Sequence, residues 1–283
     1  MKFAPPKQKL QDWLTQQWAI LWGRKIDAEL HKWLLDPFGK PGMSGQEFIG
    51  QIIKDENLFI DKTKETEGLI PSFNDLNLTD QGKLSKAISD FYERTELYEL
   101  HLAIQWNPLF KISGKLINKW FSTRIGQLNI PTKNIKNPQA LKSEITALSD
   151  TKTAQIKYTI WYRTILASET TMFSGVYSTC IIPSGKTCIK ASFPLPNGNA
   201  TVILKPEIDK KGQFILNASG KTFGDPGFYF VLNDSKGILH SQYVRSFRNK
   251  FSFEIKEEKI SAKQILTLWN LKVLEFSYFI NKK

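Results

Sequence analysis

The spacing of apolar positions changes once along the chain, near Leu141. Before that point apolar residues recur every three or four positions, the period of a helix with one buried face. Leu10, Trp13, Leu14, Trp18, Leu21 and Trp22 predict a helix within residues 7–35, and Gly23 separates it from a second. The second carries Ile26, Leu30, Trp33 and Leu34 and stops before Pro37, which disfavours helical geometry in the residue ahead of it. Ser44-Gly45-Gln46-Glu47 reads as a capping box opening a third, with Phe48, Ile49, Ile52 and Ile53 behind it. Residues 59–80 are polar, hold Pro71 and show little periodicity, the pattern of a linker or long surface loop. A longer helix is expected from Leu84 to Trp106, and Pro108 can start another that carries Leu116, Trp120 and Phe121.

From Leu141 the period is two. Ala154, Ile156, Tyr158, Ile160 and Tyr162 alternate with Gln155, Lys157, Thr159, Trp161 and Arg163. Lys186–Asp234 then holds four short strand-like runs broken by Pro194–Asn199, by Asp209–Gly212 and by the knot Gly224–Gly227. Asn197-Gly198 tolerates the positive φ of a tight hairpin, and short turns make neighbouring strands antiparallel. Further runs follow at 239–245, 251–255, 265–269 and 271–280. The expected fold is α+β: a helical N-terminal half packed against a C-terminal antiparallel up-and-down barrel, or strongly curved meander, of about eight to ten strands. The division is 1–58 helical, 59–80 linker or loop, 81–140 a helical pair covering the barrel, and 141–283 the barrel.

Several blocks carry a resemblance. Asp90-Phe91-Tyr92-Glu93-Arg94-Thr95, Trp106–Phe110, Gln127–Asn129, Tyr177–Cys180, Phe193–Pro206, Phe223–Phe230 and Tyr243–Arg245 resemble a family of bacterial conserved hypothetical proteins of unknown function. The resemblance spans 85–281 with a looser N-terminus. It implies that helices and strands form one evolutionary unit, and it implies no activity.

Composition narrows the choice of partner. The chain has 283 residues, 41% hydrophobic and 12% aromatic, enough for a core, and a formal charge of +12. The lysines are scattered rather than clustered, which disfavours nucleic acid while leaving an anionic membrane surface open as a partner. With no apolar leader and no run of membrane-spanning length, a soluble, cytoplasmic protein is expected. Cys180 and Cys188 flank a turn symmetrically; two buried thiols are the expected state, a cross-hairpin disulfide the alternative. No metal site and no cofactor are expected. Ser184–Thr187 and Ser219–Thr222 end like phosphate loops, but Cys180 and Ile215 stand where the first glycine belongs. His31, His101 and His240 are isolated in sequence and read as surface or core residues.

The leading functional expectation is a barrel enclosing one small, mainly apolar or acyl-type ligand with a polar or anionic head group. The candidate ligand-binding residues are Arg163, Tyr177, Asn197, Asn199, Asp225, Tyr229, Tyr243 and Arg245. Asp90, Glu93 and Arg94 share a helical face and form either an acid/base group or a salt-bridge cluster. One alternative is a metal-independent enzyme using Asp90, Glu93 or Asp225. Another is a peripheral-membrane or scaffold protein using Leu116, Trp120 and Phe121 beside Lys115, Lys119 and Arg124. The tryptophan stripe of the first helix is expected to pack on the rest of the protein, since Asp12, Asp27 and Glu29 dilute the basic face that lipid would attract.

Overall fold

Strands, not helices, make most of the structure. The computed structural model describes residues 3–6, 10–40, 45–61, 67–79, 82, 84–110 and 130–283. Its first elements are α1 (Leu10–Trp22), β1 (Arg24–Lys25), α2 (Gly45–Asp55), β2 (Leu58–Ile60), α3 (Lys86–Glu93) and β3 (Tyr98–Trp106). The long antiparallel run follows: β4 (Ile135–Asp150), β5 (Ile156–Ile165), β6 (Thr170–Ile181), β7 (Thr187–Leu195), β8 (Gly198–Ile208) and β9 (Phe214–Ala218). The chain ends with β10 (Gly227–Asn233), β11 (Leu239–Tyr243), β12 (Phe247–Lys256), β13 (Lys259–Leu268) and β14 (Leu271–Lys282).

Ten of these strands close into an antiparallel barrel in the order β3 to β9, then β12, β13, β14 and back to β3. Closure comes at β9, which pairs with the second half of β8 (Lys205↔Asn217 to Ile208↔Phe214) and with β12 (Asn249↔Ala218 to Ser252↔Ile215). The first half of β8 pairs instead with β10, so β10, β11 and β1 leave the barrel as a three-stranded flap. The meander is therefore interrupted once, between β9 and β12.

The helical half that the sequence suggests is small. Only three short α-helices precede the barrel among the described residues. The helix expected from Leu84 to Trp106 stops at Glu93, and Tyr98–Trp106 becomes a barrel wall. Tyr98, Leu100, Leu102, Ile104 and Trp106 are buried while Glu99 and Gln105 are exposed, an alternation that only a strand with one buried face satisfies. The helix expected after Gly23 also does not form. A Cβ at Gly23 would lie 2.3 Å from Ala19 O and 2.7 Å from Ser241 O, because the chain turns there to pair Arg24 with Ser241. Asp27 then caps a tight turn, accepting from the N–H groups of Glu29 and Leu30. Ser44, the helix expected beyond Phe110, and the basic-aromatic group Lys115–Arg124 lie outside the described residues.

The interior is one large apolar cluster. Inward residues of the strands meet Leu69, Ile70, Phe73, Leu76, Ile88, Phe91 and Tyr92, so the segment before β3 closes one end of the barrel. Phe214 packs at 5.5 Å on Phe73, 5.7 Å on Tyr92 and 5.3 Å on Phe253, tying that cap to β9 and β12. Outside, α2 covers β4, β5 and β6 through Phe48 and Ile52 on Leu148, Ile160 and Val176. Residues 26–38 cover β6, β7 and β8 through Ile26 and Leu34 on Cys180, Cys188 and Ile203. Cys180 and Cys188 are register partners, buried and free, and burial pushes both thiols up to about 12.

Of the α1 stripe, Trp13 packs as expected, against Ala4, Ala19, Ile20 and Leu232, and the rest does not. Leu10, Leu14, Trp18, Leu21 and Trp22 are exposed, and Gln16, Gln17, Ala19 and Ile20 are buried in their place.

Candidate functional site

The alternation of β5 sends Trp161, Arg163 and Ile165 inward and Tyr158 and Ile160 outward to α2. Arg163 is therefore a guanidinium 6% exposed within an apolar barrel. It lies 3.8 Å from the Trp161 ring centroid and donates to the Tyr177 hydroxyl at 2.9 Å. A desolvated guanidinium over an indole face gains about 2 kcal/mol from the ring quadrupole, which offsets part of its burial.

These groups border a cavity of about 150 Å³. Its wall is mostly apolar and aromatic, including Leu69, Phe91 and Tyr92 from the cap, Ile189, Ala191, Val202 and Leu204 from β7 and β8, and Phe276 from β14. Six polar side chains interrupt it: Tyr92, Arg163, Tyr177, Asn249, Gln264 and Tyr278. Tyr278 donates to Gln264 Oε1 at 3.2 Å, and Gln264 Nε2 donates to Asn249 Oδ1 at 3.2 Å. Burial pushes the Tyr278 phenol up to about 12, with the Arg163 charge acting against it, so the hydroxyl stays a donor at neutral pH. The cap residues are buried, whereas Phe228, Phe247 and Leu266 on the β10–β13 side are half-buried, which makes that side the mouth. A second hollow of about 510 Å³ lies beyond Leu69 and Tyr177, which line both, and is edged by Asp75, Gln155, Lys157 and Thr179.

Of the eight ligand-binding residues expected from the sequence, Arg163 and Tyr177 line the cavity. The other six lie elsewhere. Asn197 holds the β7–β8 turn at φ 60°, with its N–H on Gly39 O. Asn199, on the outer face of β8, donates to Asp36 O at 3.1 Å. Asp225 accepts from the N–H groups of Thr222 and Lys221, bonds that hold its carboxyl below the usual range. Tyr229, on β10, is buried beneath Trp33 with its hydroxyl on Asp225 O, and Tyr243 packs on it at 4.9 Å. Arg245 is exposed beyond β11.

Asp90, Glu93 and Arg94 meet as contacts of α3. Asp90 Oδ2 accepts from Tyr98 at 2.6 Å and from Lys282 at 2.8 Å, and Arg94 Nε lies 3.3 Å from Oδ1. Burial works against the Asp90 charge, but those bonds outweigh it and hold the carboxyl below its ordinary value. Glu93 accepts from Phe73 N at 2.6 Å, tying α3 to the cap. His240 is a core residue, 3.1 Å from Asp234 in the β10–β11 hairpin. Sequence reasoning misses Asn249, Gln264 and Tyr278. Their signal is a polar group at an inward position between apolar neighbours two residues away, as with Gln264 between Ala262 and Leu266.

No family model matches the chain, and no solved structure matches it. A protein of Bacillus subtilis (strain 168) named "Uncharacterized membrane protein YndJ" is 27% identical over 268 residues, covering 93% of this chain. The alignment takes in 46% of that protein, so the chain spans about half the length of the curated relative it matches. The chain is a distant homologue of an uncharacterised bacterial protein, and the similarity runs through most of its length.

Proposed function

We propose that the barrel binds one small, mainly apolar molecule with an anionic head group in the cavity beside Arg163. The observation that carries this reading is the lining: an aromatic wall with one guanidinium and a short chain of phenol and amide groups. Such a lining excludes bulk water while offering a charge-assisted bond to a single polar end. The size sets the ligand class. An apolar hollow of roughly 150 Å³ accepts a benzene-sized molecule, whereas drug-sized pockets start near roughly 300 Å³. The ligand is then a single-ring or short branched carboxylic acid; an acyl chain needs the cap to move. The carboxylate-enzyme reading has less behind it, because Asp90, Glu93 and Asp225 all hold structural bonds and none lines the cavity.

Benzoate and toluene are suitable probes, followed by titration calorimetry and thermal shift. Benzoate is expected to bind and raise the melting temperature. Arg163→Met should weaken it roughly 10- to 150-fold, the 1.5–3 kcal/mol of a hydrogen bond to a charged group, and leave toluene unaffected. Absence of any shift with both probes, together with a clean apo mass by native mass spectrometry, overturns the reading.

The relative's printed name describes a membrane protein. Carried to this chain, it supports a working place beside a membrane. The barrel wall itself is unsuited to spanning lipid, since Glu99, Lys142, Glu144, Lys250, Glu254 and Lys263 face outward and exposed.

A further inference from the structure

The face that α1 presents to solvent is apolar. Leu10, Leu14, Trp18, Leu21 and Trp22 are 70%, 53%, 40%, 65% and 75% exposed. Their spacing of three and four residues places them along one side of the helix. The rotation of α1 is fixed by two buried glutamines. Gln17 Oε1 accepts from Ala4 N at 3.0 Å, and Gln16 Nε2 donates to Pro196 O at 2.6 Å. With both glutamines bonded inward and Trp13 and Ile20 packed with Leu232, the other five, Leu10, Leu14, Trp18, Leu21 and Trp22, are held outward.

That face continues to the cavity. The Trp18 ring meets Phe230 edge-on at 6.1 Å, Phe230 meets Phe228 at 5.1 Å, and Phe228 meets Phe247 at 5.1 Å. Phe228 and Phe247 belong to the mouth. An unbroken aromatic track thus links the exposed helix to the hollow.

Charge selects the occupant. Arg24 and Lys25 directly follow Trp22 and Gly23 and are exposed, Arg24 resting 4.2 Å from the Phe223 ring centroid. The acids nearby are engaged: Asp27 caps its turn, Glu29 pairs with Lys32 at 2.5 Å, and Asp12 is half-buried. Leucine and tryptophan on one side of a helix with basic residues at its end is the chemistry of a lipid interface.

We propose that α1 lies on the surface of an anionic bilayer, its leucines and tryptophans at the headgroup boundary and Arg24 and Lys25 against lipid phosphates. The docking stands apart from the cavity reading and rests on the placement beside a membrane. It sets the mouth of the barrel next to the lipid, the phase from which a small apolar acid would partition.

The test is flotation of the full chain with phosphatidylcholine vesicles, with and without phosphatidylglycerol. Wild type should float with phosphatidylglycerol vesicles and release as salt rises. Leu14→Glu/Trp22→Glu should lower partitioning at least about tenfold on every vesicle, since binding scales with buried apolar area. Arg24→Glu/Lys25→Glu should lower it on phosphatidylglycerol vesicles alone. Circular dichroism checks the fold, and Leu10→Ser/Leu21→Ser replaces the first pair if that variant fails to fold. A folded face variant that floats like wild type overturns the docking and leaves the membrane placement standing. Wild type that floats with neither vesicle overturns both. A dimer of wild type in light scattering that these substitutions abolish assigns the face to a second copy and overturns the proposal.

Discussion

Lys190→Met should destabilise the protein by about 3–5 kcal/mol, the cost of leaving one member of a buried ion pair alone. Lys190 and Asp36 have side chains 5% and 1% exposed, with Nζ 2.9 Å from Oδ1. Lys190 also donates to Leu35 O at 2.8 Å, and the other Asp36 oxygen accepts from Ser192. These bonds clamp residues 26–38, and with them α1, to the outer face of β7. Methionine keeps the stem of lysine and removes its charge, so the loss isolates the carboxylate left behind. Against a typical stability of roughly 5–15 kcal/mol the effect is large, and the urea midpoint reads it directly. Asp36→Asn in the same chain removes the stranded charge and should recover at least about half of the loss.

The pH dependence sharpens the test. Burial already holds Asp36 above its ordinary value of 3.8, and the Lys190 charge is the main force pulling it down. Without that charge the carboxyl moves further up. A folded-state value above the unfolded one means that the native protein keeps a proton that the unfolded chain has released. Stability then falls as pH rises through that interval. The deficit of Lys190→Met should therefore be smallest near pH 4 and grow toward neutrality. A deficit below about 1 kcal/mol at neutral pH, flat with pH, would refute an ionised Asp36 as the partner of Lys190.

Gly68→Ala places a Cβ 2.2 Å from the Glu93 carbonyl, where α3 and the cap touch; a loss of roughly 1–3 kcal/mol is expected by thermal melting. Phe214→Ala, at a ring 1% exposed beneath the cap, should cost about 3–5 kcal/mol by urea denaturation. Cys180 and Cys188 should react with an aromatic disulfide reagent at least about 100-fold more slowly in the native protein than in urea, because burial keeps the nucleophilic thiolate scarce. With both thiols raised to about 12, stability should fall as pH climbs above the unfolded cysteine value of about 8.5.

The barrel was legible wherever alternation was strict and turns were marked. Ala154–Arg163 shows β5, and Asn197-Gly198 the β7–β8 hairpin. β3 was not legible because Ile88, Phe91, Thr95, Tyr98 and Leu102 also fit a spacing of three and four. Propensity for helix continues past Glu93, and the pairings of β3 with β14 and β4 decide against it. The flap was hidden for a similar reason. β10 follows β9 in sequence but pairs with β8, and no local signal reports a strand that serves two partners along its length. The site was half legible. Arg163 and Tyr177 stood out by type, but Asn249 and Gln264 became visible only once strand register fixed which face was interior.

Helix α1 shows why a hydrophobic stripe alone does not reveal what a helix packs against. Its large apolar residues look like a core face, and its glutamines look like a solvent face. For all of them but Trp13 and Ile20 the outcome is reversed, because Gln16 bonds to Pro196, 180 residues away, and Gln17 bonds to the incoming N-terminal segment at Ala4. A buried amide with a fixed partner sets orientation more firmly than an apolar side chain does. Its bond is directional, and breaking it indoors costs about 1–3 kcal/mol. Were the stripe merely surplus surface, Gln16→Leu would lower stability and leave vesicle binding unchanged. If the amide instead holds the stripe outward for lipid, leucine there leaves the half-buried Pro196 carbonyl without its donor and lets α1 turn. Gln16→Leu should then lower stability in urea and vesicle binding in flotation together.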